Sequence, residues 1–413
     1  MNAEIITIGD ELLIGQVINT NQAYIAEKLN LIGIRVAAMM TVGDTMEEIL
    51  SAFTEAWRRR RIVVVTGGLG PTHDDITKKA LCRFFETDLV SNDGLRSHIG
   101  TLLQRRNLAW NPAADEQTLV PRKATLLPNP VGTAPGMLFQ EAGKFFFVLP
   151  GVPYEMKEIV DGSIVPLLQS TISGSVIRHR TLRTTGITES MLAHQLGNLD
   201  GILQGASLAF LPSPTGVRLR VTVHDLDDAL ARQKVTAAEE NIRKKVGKYI
   251  YGTETEELEE VLGRLLTERG LTIAVAESCT GGHIADRLTN VSGSSAYFER
   301  GVVTYSNASK KALLGVPPDL IDRHGAVSKE VAETMAAGIR MAAGSDIGLS
   351  TTGIAGPAGG TPEKPVGLVW IGYADGTTTL ALRFQFGDGR LRFKERASQA
   401  ALELVRRKLL RLD

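Results

Sequence analysis

The sequence predicts an α/β protein built from several domains, and three observations lead to that class. The chain has 413 residues, which is enough for about two or three domains of ordinary size. In residues 1–165, short apolar runs such as 62–65 and 144–149 alternate with segments of helical spacing, and such runs are typical of strands buried on both faces. Strand and helix signals alternate again after residue 270. Alternation of this kind favours largely parallel sheets.

The pattern of strand and helix signals changes along the chain and predicts three domains, at residues 1–169, 170–252 and 253–413. The middle segment has the order β-α-β-β-α-β, which is the ferredoxin-like arrangement. A KH-type RNA-binding module is the alternative, but its backbone clamp needs two glycines separated by two residues. The middle segment offers Gly197 and Gly201, which are too far apart, so a structural connector is favoured.

Composition limits the function classes. Lys plus Arg and Asp plus Glu are equal at 46 each, so charge gives no case for general nucleic-acid binding. The dense basic run at residues 58–61 follows a helical pattern and is expected to lie at a helix C-terminus, where cations are favoured. No apolar run reaches the roughly 18 residues of a transmembrane helix, so no membrane partner is expected. Two cysteines, and no signal-peptide pattern, predict a reducing, cytoplasmic location.

Two loops that follow predicted strands combine acidic residues with glycines. They contribute Asp10 and Glu11 after the first strand, and Gly67, Gly68, Gly70, Thr72, Asp74 and Asp75 after the strand at 62–65. Open α/β sheets bind ligands at the carboxyl ends of their strands. Glycines let backbone N–H groups approach phosphate closely, and carboxylates suit a divalent cation that bridges phosphates. Thr72 and Thr77 can hydrogen-bond phosphate or cap the following helix, and His73 is a candidate base without an evident partner.

A second candidate site follows the predicted strand at residues 271–275. Ser278 stands in a turn that opens a helix at 282–289, where the helix dipole and free N–H groups are expected to favour developing negative charge. Tyr305 offers a phenol and Lys310 an amine, and burial would lower the pKa of the lysine so that it serves as a general base. Further hydroxyl and N–H groups, able to hold an oxyanion or a phosphate, lie at Thr352, Gly353 and Gly356.

These segments resemble a known family. Residues 66–75, Thr-Gly-Gly-Leu-Gly-Pro-Thr-His-Asp-Asp, and 9–11, Gly-Asp-Glu, resemble the loops of the molybdopterin-binding (MoaB/MogA-like) fold, which implies a three-layer α/β domain. Residues 276–282, Ala-Glu-Ser-Cys-Thr-Gly-Gly, and 350–357, Ser-Thr-Thr-Gly-Ile-Ala-Gly-Pro, resemble the C-terminal domain of the CinA family (competence/damage-inducible protein A). That second resemblance extends over residues 256–407, and residues 129–136 and 149–156 resemble the N-terminal domain as it occurs in CinA proteins. The whole chain is therefore similar to a CinA-type protein.

For the C-terminal domain, the resemblance implies deamidation of nicotinamide mononucleotide at a Ser/Lys site without a metal. The implied catalytic residues are Ser278 as nucleophile, Lys310 as base, Tyr305 in the same proton network and Thr352 as an orienting hydroxyl. The implied substrate-binding residues are Cys279, Thr280, Gly281, Gly353 and Gly356. Family members often carry Gly-Asp-Arg near the C-terminus, whereas this chain reads Gly-Asp-Gly-Arg at 387–390. Arg390, Arg392 and Arg396 are therefore all eligible to bind the substrate phosphate, with a weak preference for Arg392.

For the N-terminal domain, the resemblance implies hydrolysis of the pyrophosphate of ADP-ribose with a divalent metal, Mg, Mn or Co. The implied metal ligands are Asp10, Glu11, Asp74 and Asp75, and the implied substrate contacts are Gly67, Gly68, Gly70 and Thr72. The main interpretation is a bifunctional hydrolase of pyridine-nucleotide salvage, expected to be a homodimer. The alternative is a nucleotide- or pterin-binding accessory protein in competence or the DNA-damage response, without catalysis.

Overall fold

A computed structural model describes residues 2–70, 72, 75–171, 176–387 and 389–412. Two residues that the sequence analysis singled out, His73 and Asp74, lie outside the described residues. The chain divides into two compact units, one of residues 1–178 with 224–232 and one of residues 179–223 with 233–413. Within the described part of the chain, no helix is both long and apolar enough to cross a membrane.

The N-terminal domain is organised around a six-stranded sheet. The strands in its described part are β1 (Asn2–Ile8), β2 (Arg35–Val42), β3 (Ile62–Thr66), β4 (Leu89–Ser91), β5 (Leu119–Pro121), β6 (Thr125–Leu127), β7 (Gly136–Glu141) and β8 (Lys144–Leu149). The sheet order is β2-β1-β3-β8-β7-β6, and β4 and β5 form a separate pair. β2, β1, β3 and β8 run parallel, whereas β7 is antiparallel to β6 and β8. The prediction of a largely parallel sheet is confirmed.

Helices cover both faces of this sheet. They are α1 (Asp10–Leu13), α2 (Thr20–Leu31), α3 (Met46–Arg59), α4 (Thr77–Phe84), α5 (Asp93–Arg105), α6 (Pro112–Gln117), α7 (Pro153–Ile159) and α8 (Val165–Thr171), with a π-helical turn (Val160–Ile164) before α8. Along β3, Ile62 and Val64 enter a core shared with α2 and α7, whereas Val63 and Val65 enter one shared with α3 and α4. Because successive side chains of a strand point to opposite faces, β3 is buried on both sides, and the domain has three layers.

The basic run at residues 58–61 lies at the end of a helix, as predicted. α3 carries Arg58 and Arg59 in its last turn, where positive charge is favoured. The next residue, Arg60, forms an ion pair of 3.0 Å with the buried carboxylate of Glu4 in the adjacent strand. The run is therefore explained by local helix and sheet structure.

The middle domain has the predicted β-α-β-β-α-β order with one added helix. Its elements are β9 (Val176–Thr184), α9 (Glu189–Leu196), α10 (Leu199–Leu203), β10 (Ser207–Ser213), β11 (Gly216–Asp225), α11 (Asp228–Val246) and β12 (Ile250–Thr253). The sheet order β10-β11-β9-β12 places the first and third strands of the motif side by side at the centre, as in the ferredoxin-like arrangement. The added helix α10 is only five residues long, too short for a periodic pattern, and Asn198 caps its N-terminus.

The C-terminal domain has a five-stranded sheet in the order β14-β13-β15-β16-β17. Its strands are β13 (Ile273–Glu277), β14 (Phe298–Val303), β15 (Ile347–Gly353), β16 (Leu368–Ala374) and β17 (Thr379–Gln385). Its helices are α12 (Leu258–Arg269), α13 (His283–Thr289), α14 (Asn307–Leu314), α15 (Pro318–His324), α16 (Lys329–Ala343) and α17 (Arg390–Leu410). β13 is parallel to both β14 and β15, whereas β15, β16 and β17 are antiparallel. The carboxyl ends of β13, β14 and β15 therefore meet at one edge of the sheet.

Candidate active site

Ser278 lies at this carboxyl edge of the C-terminal sheet. β13 ends at Glu277, which is in register with Thr351 of β15 and Val303 of β14. Ser278 is the first residue beyond the paired strand, and its N–H donates to the Thr351 carbonyl at 3.0 Å. Because side chains alternate between faces along a strand, Ser278 and Thr352 are expected on one face, and Glu277 and Thr351 on the other.

Lys310 contacts the serine hydroxyl directly. It lies on α14, its side chain is buried, and its Nζ lies 3.0 Å from Ser278 Oγ. The same amine donates to the Thr304 carbonyl at 2.8 Å, which fixes the end of the side chain. Burial lowers the pKa of Lys310 because it removes water from the charged ammonium. The structure thus brings together the expected nucleophile and the expected base.

The helix N-terminus beside Ser278 is already occupied by a carboxylate. Glu277 is only 1% exposed, and its Oε2 accepts from the N–H groups of Gly282 at 3.0 Å and Ile284 at 3.1 Å. Its Oε1 accepts from the Ala285 N–H at 2.8 Å. The expectation that free N–H groups of this helix would favour charge on the serine is therefore wrong, because Glu277 uses them. The role of Glu277 was not predicted.

Cys279 and Thr280 place their side chains in the core rather than in the site. Cys279 is 5% exposed, and burial raises the pKa of its thiol to about 12. Thr280 is fully buried, and its Oγ1 lies 2.8 Å from Thr351 Oγ1. The turn thus directs both side chains toward the covered face of the sheet, and a contact of these two residues with substrate would have to come from their backbone. Gly281 adopts a φ of +61°, and a Cβ at this position would lie 3.5 Å from Lys394 Nζ.

The loop after β15 combines a buried hydroxyl with glycines. Thr352 is 1% exposed, and its Oγ1 donates to the Ala326 carbonyl at 2.7 Å. Gly353 has a packing role, because a Cβ there would lie 2.6 Å from the Leu368 carbonyl oxygen of the adjacent strand. Gly356 has a φ of +75°, which favours glycine. Thr352 is thus anchored to another loop at the same edge of the sheet.

A guanidinium joins the loops around the serine turn. Arg390, the first residue of α17, donates to the Tyr305 hydroxyl at 2.6 Å and to the Gly356 carbonyl at 3.1 Å. Tyr305 is 58% exposed, so its phenol lies at the mouth of the site rather than in the buried contact between Ser278 and Lys310. The guanidinium, held by the phenol, places positive charge at the carboxyl edge of the sheet.

The structure gives less support to Arg392 as the phosphate-binding residue than to Arg390. Arg392 is exposed and has no polar partner among the described residues. Residues three or four apart share a helix face, whereas residues two apart do not, so Lys394 follows Arg390 on one face of α17 and Arg392 points elsewhere. Lys394 Nζ lies beside Gly281, as noted above. Arg396 lines a different cavity. Lys394 was missed because the exact start of the helix was unknown.

The N-terminal candidate site is a cavity of about 240 Å³ at the carboxyl ends of β1, β2 and β3. Its wall includes Gly67 and Gly68, which follow β3. A Cβ at Gly67 would lie 2.1 Å from the Ile8 carbonyl oxygen, so only glycine allows the backbone to pass there. Gly68 has a φ of +65°. The cavity therefore lies where the parallel strands end, as the sequence pattern predicts.

Three carboxylates line this cavity, and one of them was not predicted. They are Glu11, Asp44 and Asp75. Asp10 is not part of the wall, and its backbone N–H donates to Asp44 Oδ2 at 2.9 Å. Asp44 follows β2, the strand beside β1, so the rule that located the other acids applies to it equally. Asp74, an expected metal ligand, lies outside the described residues.

These carboxylates have the oxygen ligands that a divalent cation prefers, but the described ones are not close enough together to coordinate it alone. Carboxylate oxygens are the ligands that Mg²⁺ and similar hard cations prefer. Among the described residues, no group of three or more acidic, histidine or cysteine side chains is close enough to hold a metal ion. The donor set therefore fits a cation that takes its remaining ligands from a bound substrate or from water.

The threonines of the second loop make hydrogen bonds within that loop. Thr72 donates from both its N–H and its hydroxyl to Asp75 Oδ2, the N–H at 2.9 Å. Thr77 is fully buried and donates to the Gly67 carbonyl at 3.1 Å. Both hydroxyls therefore donate within the loop rather than to the N-terminus of a helix, and phosphate binding by Thr72 stays a prediction. Gly70 lies against Asp75, because a Cβ there would be 2.4 Å from Asp75 Oδ2.

A buried amide completes the cavity. Asn21 is 7% exposed and lies on the wall. Its Nδ2 donates to the Gly151 carbonyl at 2.8 Å, whereas its Oδ1 has no partner among the described residues. Buried polar atoms usually have partners, so this oxygen is free to accept from a bound ligand. Asn21 was not predicted, because a lone asparagine near a helix start gives no signal that separates ligand binding from capping.

Comparison with known families defines the class of the protein. The family description "Probable molybdopterin binding domain" matches residues 4–170, and "Damage-inducible protein CinA KH domain" matches residues 179–252. "CinA C-terminal domain" matches residues 255–409. The chain is thus a multidomain α/β protein with a MoaB-like N-terminal domain, a small KH-like middle domain and a CinA-type C-terminal domain. The KH description, set aside in the sequence analysis, applies to the middle domain.

Relatives align with nearly the whole chain. A CinA-like protein from Salinibacter ruber is 46% identical over 412 residues, which are 99% of this chain and 100% of the relative. One from Chloroherpeton thalassium is 46% identical over 415 residues, 98% and 99% of the two chains. The chain therefore belongs to the CinA family. A solved structure, the competence/damage inducible protein CihA from Agrobacterium tumefaciens, is 38% identical over 38% of this chain and 97% of its own, with a TM-score of 0.36.

Proposed function

We propose that the chain hydrolyses nicotinamide mononucleotide to nicotinic acid mononucleotide and ammonia. The observation that carries this proposal is the buried contact of 3.0 Å between Lys310 Nζ and Ser278 Oγ. A serine hydroxyl is a weak nucleophile unless a neighbouring base takes its proton, and a lysine with a lowered pKa is such a base. The substrate is the one that the resemblance to the CinA C-terminal domain implies.

The reaction needs Lys310 in its neutral form. Ser278 Oγ attacks the carboxamide carbon while its proton passes to Lys310 Nζ. The ammonium then gives this proton to the leaving nitrogen, ammonia departs, and an acyl-serine remains. Lys310 next takes a proton from water, whose oxygen attacks the acyl carbon. Return of that proton to Ser278 Oγ releases the carboxylic acid and restores the site.

Positive charge beside the serine turn suits the phosphate of a mononucleotide. Arg390 and Lys394 lie on one face of α17, and Arg390 contacts both Tyr305 and Gly356. A guanidinium binds phosphate through two parallel N–H donors, and a lysine adds a point charge. We assign phosphate binding to Arg390 with Lys394, and positioning of the guanidinium to the Tyr305 hydroxyl.

The direct test is to incubate the purified full-length chain with nicotinamide mononucleotide and to measure both ammonia and nicotinic acid mononucleotide. Equal amounts of both products are expected, without added metal and in the presence of a chelator. Nicotinamide riboside, which lacks the phosphate, should give a much higher KM. Release of free nicotinamide instead of ammonia would show that the glycosidic bond is cut, and would overturn the proposal.

A second activity, hydrolysis of the pyrophosphate of ADP-ribose, is favoured by the cavity that Glu11, Asp44 and Asp75 line. A bound divalent cation would neutralise the pyrophosphate and lower the pKa of a coordinated water. The carboxylates would hold the cation, the glycine loop would face the phosphates, and Asn21 Oδ1 would accept from the ligand. AMP and ribose 5-phosphate, formed only with added Mg²⁺, Mn²⁺ or Co²⁺, are the expected products.

The alternative function is ligand binding without turnover, in competence or the DNA-damage response. It would use the same glycine loop and carboxylates, so binding data alone do not separate the two. Binding of ADP-ribose without product under any divalent metal would favour this accessory role for the N-terminal domain. The proposed protein is a cytoplasmic homodimer acting on small nucleotides.

A further inference from the structure

Four large apolar side chains are exposed on the short segment between β1 and α2. They are Leu13, Ile14, Val17 and Ile18, which are 55%, 71%, 54% and 84% exposed. Single exposed apolar side chains are ordinary on a protein surface, whereas several close together mark a binding surface. The segment follows the carboxyl end of β1, so it lies at the edge of the sheet where the N-terminal cavity is found.

Backbone groups and one asparagine hold this segment in place. The N–H groups of Gln16 and Val17 donate to the Glu11 carbonyl at 2.9 and 3.3 Å. At the other end, Asn19 Nδ2 donates to Thr7 Oγ1 at 3.0 Å, and the Asn19 side chain also caps α2. Because polar contacts fix both ends of the segment, its exposed apolar side chains are available to a ligand.

Two of these four side chains belong to the wall of the N-terminal cavity. Val17 and Ile18 line it together with Leu12, whereas Leu13 and Ile14 do not. We call Leu12, Val17 and Ile18 the apolar rim. The carboxylates and the glycine loop described above form another part of the same wall. The cavity therefore combines a polar part, suited to a cation and phosphates, with an apolar part that is open to solvent.

The size of the cavity requires a nucleotide substrate to extend beyond it. Its volume is about 240 Å³. Pockets that enclose a small ligand usually measure roughly 300–1,000 Å³. ADP-ribose has two ribose units and a base on either side of its pyrophosphate, so one end of it must lie outside the enclosed volume. Val17 and Ile18 are large, exposed and on the wall, so they are placed to contact that end.

The two ends of ADP-ribose differ in their fit to an apolar surface. The adenine ring has flat apolar faces, and covering such a face with aliphatic side chains removes apolar area from water on both partners. The terminal ribose carries hydroxyl groups, which would lose hydrogen bonds to water against the same side chains. The adenine end is therefore the better partner for the apolar rim.

We propose that the apolar rim of Leu12, Val17 and Ile18 binds the adenine ring, and that it makes the N-terminal site selective for the base of its substrate rather than for the terminal sugar. The identity of the base rests on the proposed hydrolysis of ADP-ribose. Contacts with the base lie away from the reacting phosphates and are the same before and during the reaction. Their loss should raise KM and leave kcat nearly unchanged.

The first test compares AMP with ribose 5-phosphate, which has the same sugar and phosphate but no base. Each is titrated calorimetrically into the full-length protein with Mg²⁺ present. The protein carries Arg390→Gln, which removes the proposed phosphate group of the deamidase site, so binding there contributes little. AMP should bind at least about tenfold more tightly, because only AMP covers the rim. Equal affinity for the two compounds would overturn the proposal.

Matched variants then locate the base. Ile18→Ser and Val17→Ser should each weaken AMP binding about fivefold to tenfold and ribose 5-phosphate binding less than about twofold. Ile14→Ser is the control, because it makes the same change in the same segment at a side chain that does not line the cavity. It should leave AMP affinity within about twofold of the parent protein. All three side chains are exposed, so the melting temperature should change little.

Hydrolysis of ADP-ribose gives an independent measurement. In Ile18→Ser the KM for ADP-ribose should rise about as much as the dissociation constant of AMP, with kcat nearly unchanged. If the wild type did not hydrolyse ADP-ribose, the proposed activity would fail, but AMP has no pyrophosphate and its titrations would still decide where the base binds. AMP affinity that is equal in Ile18→Ser and Ile14→Ser would overturn the rim as the base site. If Ile18→Ser instead changed the oligomeric state in sedimentation and left AMP affinity unchanged, the exposed segment would be an interface between two copies of the chain.

Discussion

The Ser278 site and the cavity lined by Asp75 both lie at the carboxyl ends of parallel strands, but they differ in what the chain itself supplies. At the first, Lys310 Nζ and Ser278 Oγ are already in contact and are buried. At the second, Asp75 accepts a hydrogen bond from Thr72 of its own loop, and Asp44 accepts one from the backbone N–H of Asp10. At the first site the proposed nucleophile and the proposed base are therefore already in contact, whereas at the second the proposed cation ligands contact groups of their own or neighbouring loops.

The difference separates a site whose proposed reacting groups all belong to the chain from a site that also needs a bound cation. A nucleophile and a base can be held by packing alone, because their contact is itself a hydrogen bond. Carboxylates that would share a cation repel each other without it, so the chain satisfies them with local N–H and hydroxyl donors. We therefore expect deamidation to depend on single side chains, and ADP-ribose hydrolysis to depend also on added metal.

The largest expected effect is at the nucleophile. Ser278→Ala should lower kcat for deamidation by about 10³-fold or more, since nothing else forms the acyl intermediate. Cys279→Ala should retain most activity, because the thiol is buried and its raised pKa keeps it protonated. Initial rates of ammonia release from the two purified variants make the comparison. An active Ser278→Ala protein, or an inactive but folded Cys279→Ala protein, would reverse the assignment.

Loss of the base should resemble loss of the nucleophile. Lys310→Ala should lower kcat by about 10²–10⁴-fold, and the double variant with Ser278→Ala should be no worse than either single variant. Lys310→Arg should also be inactive, because a guanidinium stays protonated at all accessible pH values. A clearly active Lys310→Arg protein would exclude the lysine as base.

The pH dependence follows from the direction of the lysine pKa. Burial lowers the pKa of Lys310 below its usual 10.5, and the neutral amine is the active form. kcat/KM should therefore rise with pH and level off above the pKa of the lysine, at a pH below 10.5. The profile of wild-type protein is measured beside that of Cys279→Ala, which should show the same limb. A rate that falls as pH rises through this range would contradict the mechanism.

These two sites show which parts of the fold and of the candidate sites can be predicted from the sequence. The strands were predictable because β3 is a run of apolar residues buried on both faces. Ser278 and Lys310 were found because they stand in motifs next to predicted strands. Asp44 could have been found by the same rule, since it follows β2, but a single acid after a glycine is a weak signal. The sequence predicts which loop carries a residue, but it does not predict where the side chain of that residue points.

Side-chain direction accounts for the differences between the predicted sites and the structure. Arg392 was preferred over Arg390 because the sequence does not give the residue at which α17 begins, and an error of two residues moves a side chain to another face. The resemblance implies Cys279 and Thr280 as substrate-binding residues, whereas the turn directs their side chains into the core. Each of these choices depends on backbone geometry that only the packed structure supplies.

The N-terminal site should respond to changes that leave deamidation untouched. Asp75→Asn should lower ADP-ribose hydrolysis about 10²-fold and leave deamidation within about twofold of wild type, because it removes a cation ligand only at that site. Asp44→Asn should act in the same direction, and Asp10→Asn less, since Asp10 does not line the cavity. Product is quantified by chromatography with and without chelator. Hydrolysis that persists in excess chelator would exclude the metal.

The smallest expected effect concerns Glu277, whose buried carboxylate accepts from three backbone N–H groups just after the serine. A glutamine in its place presents one oxygen and one NH₂ group, whereas three backbone N–H groups now point at two carboxylate oxygens. Even with its oxygen toward Gly282 and Ile284, glutamine would face the Ala285 N–H with a second donor. The lost bond and the opposed donors should lower the free energy of unfolding of this domain by about 1–3 kcal/mol.

The effect of Glu277→Gln on catalysis should be confined to kcat. Because the serine directly follows Glu277, a loosened turn misplaces Ser278 Oγ relative to Lys310, and a fall in kcat of about tenfold is expected with KM nearly unchanged.

Glu256→Gln is the matched control: Glu256 also accepts from a backbone N–H, that of Thr253 at 2.8 Å, but lies before α12. It should lower the melting temperature without lowering kcat. If both variants reduced kcat in proportion to their loss of stability, Glu277 would have only a structural role. If only Glu277→Gln lowered kcat, at a temperature where both proteins are folded, the Glu277 carboxylate at the N-terminus of α13 would be shown to hold Ser278 in position for catalysis.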